Sequence, residues 1–440
     1  MSETTIGTSP IRKVLQNKNF RLLWLGEGIS LLGDQFYLIA LPWLILQMTG
    51  NAFAMGTVLA VAGIPRAIFM LLGGALTDRL TPRWMMLVTN IIRMGLVGLM
   101  AGLILVNSIE LWMVYGFALL FGLADAFFFP AASAIVPEVV PEKHLQTGNT
   151  VIQATAQISV FLGPVLAGAT IALFGNGDTV SDLRGIGLAF AFDALTFLLS
   201  AITLWFMQAK TTQPKVDTTV QTDDKNVWAD MVEGLRFVWQ DLPLRTVFIA
   251  VAAITIFATA PIVIGIPIFV EEHLGAGAGT FGILMAVFGA GTLLGTIASS
   301  VLPAPPPRQF GKTLFGIIST LGVSLALLSV ANTAVIAGIL LFAMGLVQGY
   351  VMIHFTTWLQ RRSPPAMLGR VMSLLMFSFV GLAPVADTVF GALIEWNLSL
   401  VFLISGISLT LVSLLAMIQP SIQDMLPAPA GAMVESAAAD

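Results

Sequence analysis

Apolar residues in this 440-residue chain come in runs of about twenty, separated by short polar connections. Twelve such runs cover 22–47, 53–76, 84–106, 111–135, 148–174, 186–207, 244–269, 280–302, 311–330, 334–357, 370–393 and 398–418. A helix of about 20 residues rises about 30 Å, the thickness of the bilayer's hydrocarbon core, whereas membrane strands would alternate in segments of about ten. Backbone groups in lipid must pair internally, which continuous helices achieve. The pattern predicts an all-α membrane protein with twelve transmembrane helices. Pro141, Leu145 and Gly168-Ala169 return 223 residues later as Pro364, Leu368 and Gly391-Ala392. A shift of about half the chain fits two pseudo-symmetric six-helix bundles.

The expected division is a first bundle at 1–207, a polar linker at 208–243, a second bundle at 244–420 and a cytoplasmic tail at 421–440. The linker's end changes character. Val227, Trp228, Met231, Val232, Leu235, Val238 and Trp239 recur at helical spacing among Asp230, Glu233 and Arg236, the pattern of an amphipathic helix. Such a helix suits the membrane surface or the bundle's own cytoplasmic face.

Composition supports the lipid reading. Charged residues are 10% of the chain, against about 25% in a soluble domain, so this inventory cannot cover a water-facing surface. Position of charge matters more than its sum. Of 20 Lys and Arg, 17 fall in the N-terminus, the even-numbered connections and the helix ends that flank them, two (Arg66, Arg93) lie well inside spans, and Arg184 lies between spans five and six. The positive-inside rule then puts both termini in the cytoplasm, in a multi-pass protein of the cell membrane. The polar first 19 residues carry no cleavage site, so the first apolar run reads as a retained helix.

Between spans two and three stands Gly73-Gly74-Ala75-Leu76-Thr77-Asp78-Arg79-Leu80-Thr81-Pro82-Arg83, a short charged turn wedged between two helices. Further segments are Asn19-Phe20-Arg21-Leu22-Leu23-Trp24, Gly33-Asp34-Gln35, Leu41-Pro42-Trp43, Pro130-Ala131-Ala132-Ser133-Ala134-Ile135-Val136-Pro137, Gly163-Pro164-Val165-Leu166-Ala167-Gly168 and Glu233-Gly234-Leu235-Arg236-Phe237-Val238-Trp239. Together they resemble the major facilitator superfamily, in the drug:proton antiporter branch near macrolide-efflux and enterobactin-export proteins. The resemblance implies a cytoplasmic gate built on Gly73, Gly74, Asp78, Arg79 and Arg83. It also implies a rocking hinge in helix five at Gly163, Pro164 and Gly168, where proline removes a backbone hydrogen bond. The chain departs from the branch in helix four, where Asp125 stands in place of an arginine-containing motif.

An ionisable side chain at the centre of a span costs at least about 2.5–3.5 kcal/mol to insert, so each one calls for a partner or a role. Glu27 and Asp34, two helical turns apart, share a face of helix one, and Arg66 reaches a depth similar to that of Asp34. The expectation is that Asp34, with Glu27, carries a coupling proton while Arg66 modulates it. Arg93 and Asp125 are the candidates for a buried ion pair. Asp193 and Asp387 are candidates for the exit of a cavity.

Several classes are excluded. With no cysteine there are no disulfides or thiolate metal ligands, and His144, His273 and His354 are far apart. Gly311-Lys312-Thr313 resembles the end of a phosphate-binding loop, but Pro306 occupies its required first glycine. The chain is therefore expected to be a non-enzyme without cofactor or metal and without a nucleic-acid partner. The expected function is proton-coupled efflux of an amphipathic small molecule by alternating access. Its partners would be that substrate, protons and the lipid bilayer, and the protein would be a monomer. A siderophore or metabolite exporter is the nearest alternative. A non-transporting receptor or scaffold on the same fold is the more distant one.

Overall fold

The computed structural model describes residues 10–79, 81–175, 183–208, 227–303, 305–306, 309–419 and 422. Side chains of 71–79, 227–231 and 365–366 lie outside this description, as do most of the linker and nearly all of the tail. The described residues form helices joined by short connections, in two units, Met1–Thr218 with Ala276–Ala286 and Thr219–Gly275 with Val287–Asp440.

The first unit contains α1 (Pro10–Gln16), α2 (Lys18–Thr49), α3 (Ala52–Arg79), α4 (Pro82–Leu105), α5 (Leu111–Val139), α6 (Leu145–Phe174) and α7 (Arg184–Phe206). Asn17 starts α2 by accepting from the N–H groups of Asn19 and Phe20, at 3.0 and 3.2 Å. Gly50, with φ 58°, ends it in the left-handed conformation that a side chain would strain. Helix α3 packs along α5, α4 along α7, and α2 along α7 and α6. Gly122 on α5 lies so near the carbonyl of Ala62 on α3 that a Cβ there would overlap it.

The second unit contains α8 (Val227–Gln240), α9 (Leu242–Ile254), α10 (Ala260–Ile268), most of α11 (Ala278–Val301), α12 (Phe310–Leu328), α13 (Ala334–Arg362), α14 (Pro365–Val380) and α15 (Ala383–Ile418). Wide π turns at Thr255–Thr259 and Phe269–His273 make α9 and α10 one continuous span. On α11, Gly291 and Gly295 meet the carbonyls of Phe342 and Leu346; on α13, Gly345 and Gly349 meet those of Phe288 and Thr292. The two helices touch backbone to backbone over two turns, the close approach that small residues four apart allow.

Helix α8 buries Gly234 and Val238, packing on α14 and α9, and Glu233 pairs with Arg370 at 3.1 Å. Its Val232, Leu235 and Trp239 stay exposed, so the helix combines a docked side with an apolar open one.

Among the described residues, eleven helical stretches are long and apolar enough to cross a membrane. The last, Met367–Ile418, has 52 residues. At 1.5 Å per residue it could extend about 78 Å, over twice the bilayer core. Asn397 leaves helical geometry there (φ −165°, ψ 103°), and its Oδ1 accepts from Leu400 N–H at 2.8 Å, which caps a new helix. This stretch has the length and the break for two crossings.

Polarity is inverted relative to a soluble protein. Arg93, Asn90, Asp125, Asp193 and Ser200 are buried, while Ile68, Leu99, Leu173, Ile339 and Leu415 are exposed. Apolar surface outside and polar side chains inside is the arrangement that lipid demands.

Candidate functional site

The site grows from Arg93, the largest fully buried side chain among the described residues, at the middle of α4 with 1% exposure. An unpaired buried guanidinium would cost several kcal/mol, so its surroundings must compensate. Its Nη2 lies 2.7 Å from Asp125 Oδ1 on α5 and 3.6 Å from Asp34 Oδ1 on α2. Its Nη1 donates to Asn90 Oδ1 at 3.3 Å, and Asn90 Nδ2 donates to Ser200 Oγ on α7 at 3.0 Å. Three rings complete the enclosure, with the guanidinium carbon 4.3 Å from the Phe128 centroid, 4.5 Å from Phe197 and 5.3 Å from Phe121. Each desolvated cation–π contact is worth up to about 2 kcal/mol. The cation is held by four helices at once.

Asp125 bridges two cations, since Arg66 Nη1 on α3 approaches its Oδ2 at 3.7 Å. The expectation that Arg66 stands opposite Asp34 is thus corrected. Equal depth did not make them neighbours, because α3 packs along α5 and delivers Arg66 to Asp125, while α4 delivers Arg93 to Asp34.

The two carboxylates differ in access. Asp125 is 7% exposed and tightly paired; Asp34 is 26% exposed and loosely paired. Glu27, on the same helix as Asp34, lies within Coulomb reach of both Asp34 and Arg93, and its Oε2 is buried without a hydrogen-bond partner.

Asp193 also needs correction. It is fully buried near the middle of α7, accepts at 3.4 Å from Thr196 Oγ1, and feels the charges of Asp34 and Arg93. Gly33 on α2 packs so closely that a Cβ there would crowd Asp193 Oδ1 and Thr196. Asp193 therefore joins the central cluster instead of marking an outer exit. Asp387 is buried in the first turns of α15, in the second unit.

The cluster's aromatic wall was not anticipated, though a signal existed. Phe121, Asp125 and Phe128 are spaced by four and three along α5, one face of a helix, and Asn90 precedes Arg93 by three.

Of the gate motif, Gly73, Gly74, Asp78 and Arg79 are placed only as helical backbone, their side chains lying outside the described residues. Arg83 is described. Its Nε donates to Leu204 O at 2.7 Å and its Nη2 to Trp205 O at 2.6 Å. It thereby caps the C-terminal carbonyls of α7, where orphan acceptors and the helix dipole favour a cation. In α6 the helix runs unbroken through Pro164. Gly163 accommodates Gln35 of α2, and Gly168 faces Gly282 of the first turns of α11, with a Cβ at 168 coming within 2.9 Å of the Gly282 Cα.

Known proteins resemble the chain over most of its length. The chain is 25% identical over 401 residues to the multidrug efflux pump Tap of Mycolicibacterium fortuitum, covering 89% of the chain and 93% of that pump. It is 23% identical over 413 residues to macrolide efflux protein A of Streptococcus pyogenes, covering 92% and 96%. In fold it is similar to a POT family transporter solved in complex with 5-aminolevulinic acid (TM-score 0.69, 12% identity, 94% of this chain and 100% of that one). A bacterial homologue of the iron transporter ferroportin in an inward-facing state gives a TM-score of 0.66 at 14% identity, over 92% and 100%. The Major Facilitator Superfamily profile matches residues 23–386, and this multi-pass, all-helical membrane transporter belongs to that superfamily.

Proposed function

We propose that the protein exports an amphipathic small molecule from the cytoplasm in exchange for protons, by alternating access. The observation that carries this reading is the unequal pairing of Arg93, tight to the enclosed Asp125 and loose to the more accessible Asp34. Four carboxyl groups (Glu27, Asp34, Asp125, Asp193) share the cluster with two guanidinium groups (Arg66, Arg93), so it becomes electroneutral on holding two protons. Net charge in lipid is costly, so taking up or releasing one proton changes which helix arrangement is favoured.

In this mechanism Asp125 is the standing counter-ion and Asp34 the carrier. A proton from outside neutralises Asp34, frees it from Arg93, and favours the state with the cytoplasmic side open. Release inside restores the pair. The loop around Asp78 and Arg83 closes the cytoplasmic side, and Gly163-Pro164 with Gly168 forms the packing seam over which α6 moves. Both termini lie in the cytoplasm. Similarity to efflux pumps over nearly the full length supports the direction of transport.

The test is export of a fluorescent amphipathic dye from proteoliposomes, with and without an imposed pH gradient. Gradient-dependent flux is expected. Flux that ignores the gradient overturns the proton coupling, and no flux of any dye across a broad panel overturns the exporter reading.

A further inference from the structure

The second unit holds a cavity of about 190 Å³ that the charge cluster does not explain. Its wall includes Ile254, Thr255, Thr259, Val347, Gln348 and Phe379, and no lining residue carries a charge. The cavity sits beside the π turn Thr255–Thr259, where Ala260 N–H reaches back five residues to Thr255 O. The cause is local. Pro261 has no N–H for the carbonyl of Phe257, and its ring would clash with that carbonyl in a regular helix, so the turn before it widens. Single π turns inside α-helices occur often at functional sites.

A second observation points to a ligand. Thr255 is 1% exposed, and its hydroxyl oxygen is buried with no hydrogen-bond partner. A buried hydroxyl without a partner costs about 1–3 kcal/mol by mutational measures, so its persistence calls for an explanation. Apolar cavities of about 150 Å³ stay dry and accept benzene. A somewhat larger cavity whose wall holds the Thr255 hydroxyl, the Gln348 carboxamide and a Thr259 hydroxyl that already donates to Ile254 O fits two fused rings bearing a neutral polar substituent.

We infer that this cavity is a subsite for an uncharged aromatic portion of the transported compound, with Thr255 and Gln348 receiving its single polar group. The assignment rests on the reading of the chain as a small-molecule exporter and adds the class of group that it holds. Carboxylates are excluded, because nothing in the wall would compensate a buried anion.

The chain has no cysteine, so a single introduced thiol can be followed without background. Thr255→Cys in the full-length protein is alkylated by N-ethylmaleimide with no pH gradient present. The probes are 1-naphthol, neutral and bicyclic, and 1-naphthoate, its charged analogue. Naphthol should slow alkylation at least about threefold, naphthoate should not, and alkylation of Ser108→Cys in an exposed connection should be unchanged. Equal rates with and without naphthol, equal protection by naphthoate, or equal slowing at Ser108→Cys overturn the subsite.

A second measurement stands apart from folding of the cysteine variant. Naphthol should raise the melting temperature of the unmodified protein, and Val347→Phe, which fills the cavity, should abolish that rise. A rise that persists in Val347→Phe overturns the subsite. Both measurements are made without a gradient, so failure here with gradient-driven export intact removes the subsite alone. Protection with no gradient dependence of export removes the proton coupling alone.

Discussion

Arg93 lies 3.6 Å from Asp34, and the two are joined across α4 and α2 while the same guanidinium grips Asp125 at 2.7 Å. The loose contact and the tight one differ in what they can do. A pair that must open and close in each cycle cannot also be the one that keeps a buried cation stable. In the proposed mechanism Asp125 serves the fold's stability and Asp34 the cycle, and the predictions separate the two.

Asp34→Asn keeps shape and removes the titrating group. Export driven by a pH gradient should be lost, while dye binding and downhill exchange stay within about twofold of the unmodified protein. Export by Asp34→Asn vesicles that remains fully gradient-dependent would place the carrier elsewhere, with Glu27 examined next.

Arg93→Met should act on stability first. It strands Asp125 and Asp34 without their cation, a loss of about 3–5 kcal/mol for a buried pair with one partner removed. A melting temperature lower by on the order of 10 °C is expected in detergent. Adding Asp125→Asn to Arg93→Met should recover part of the loss, because the stranded charge is gone. No recovery would mean that the rings, not the carboxylate, account for the arginine's burial.

Arg83 caps α7 through two different nitrogens, which a lysine cannot reproduce. Arg83→Lys keeps the positive charge that membrane anchoring needs and should still lower thermal stability, by about 1–2 kcal/mol. Equal stability of Arg83→Lys and the unmodified protein would reduce Arg83 to an anchor.

Gly349→Val drives a side chain into the backbone of Thr292, where α13 meets α11. Protein levels in the membrane should collapse. Gly95→Val, at a position where a Cβ meets open space, should be tolerated. Comparable levels of the two variants would show that the α11–α13 seam is plastic.

Reporter fusions after residues 110, 180 and 272 should read outside, and those after 82, 215 and 363 inside, as the distribution of Lys and Arg requires. One robust reversal breaks the orientation.

Much of this protein was legible along the chain because lipid makes a one-dimensional demand. Each crossing needs about twenty apolar residues, whichever helices surround it, so membrane helices and their ionisable residues could be read directly. The amphipathic pattern of Val227–Gln240 was legible from apolar residues recurring at helical spacing. Pairing was not. Helical periodicity gives a residue's depth and its face, and Asp34 and Arg66 agree in depth. Which cation meets which acid depends on which helices pack together, and that is set by small residues such as Gly33 and Gly122 that let α2 approach α7 and α5 approach α3. Only the tertiary structure therefore gave Arg93 to Asp34, Arg66 to Asp125, and Asp193 to the cluster. The turn at Asn397 was legible, because Glu395 and Asn397 interrupt the apolar run and fall in the gap between the spans 370–393 and 398–418. Length and polarity are properties of a segment, whereas partnership is a property of the packing.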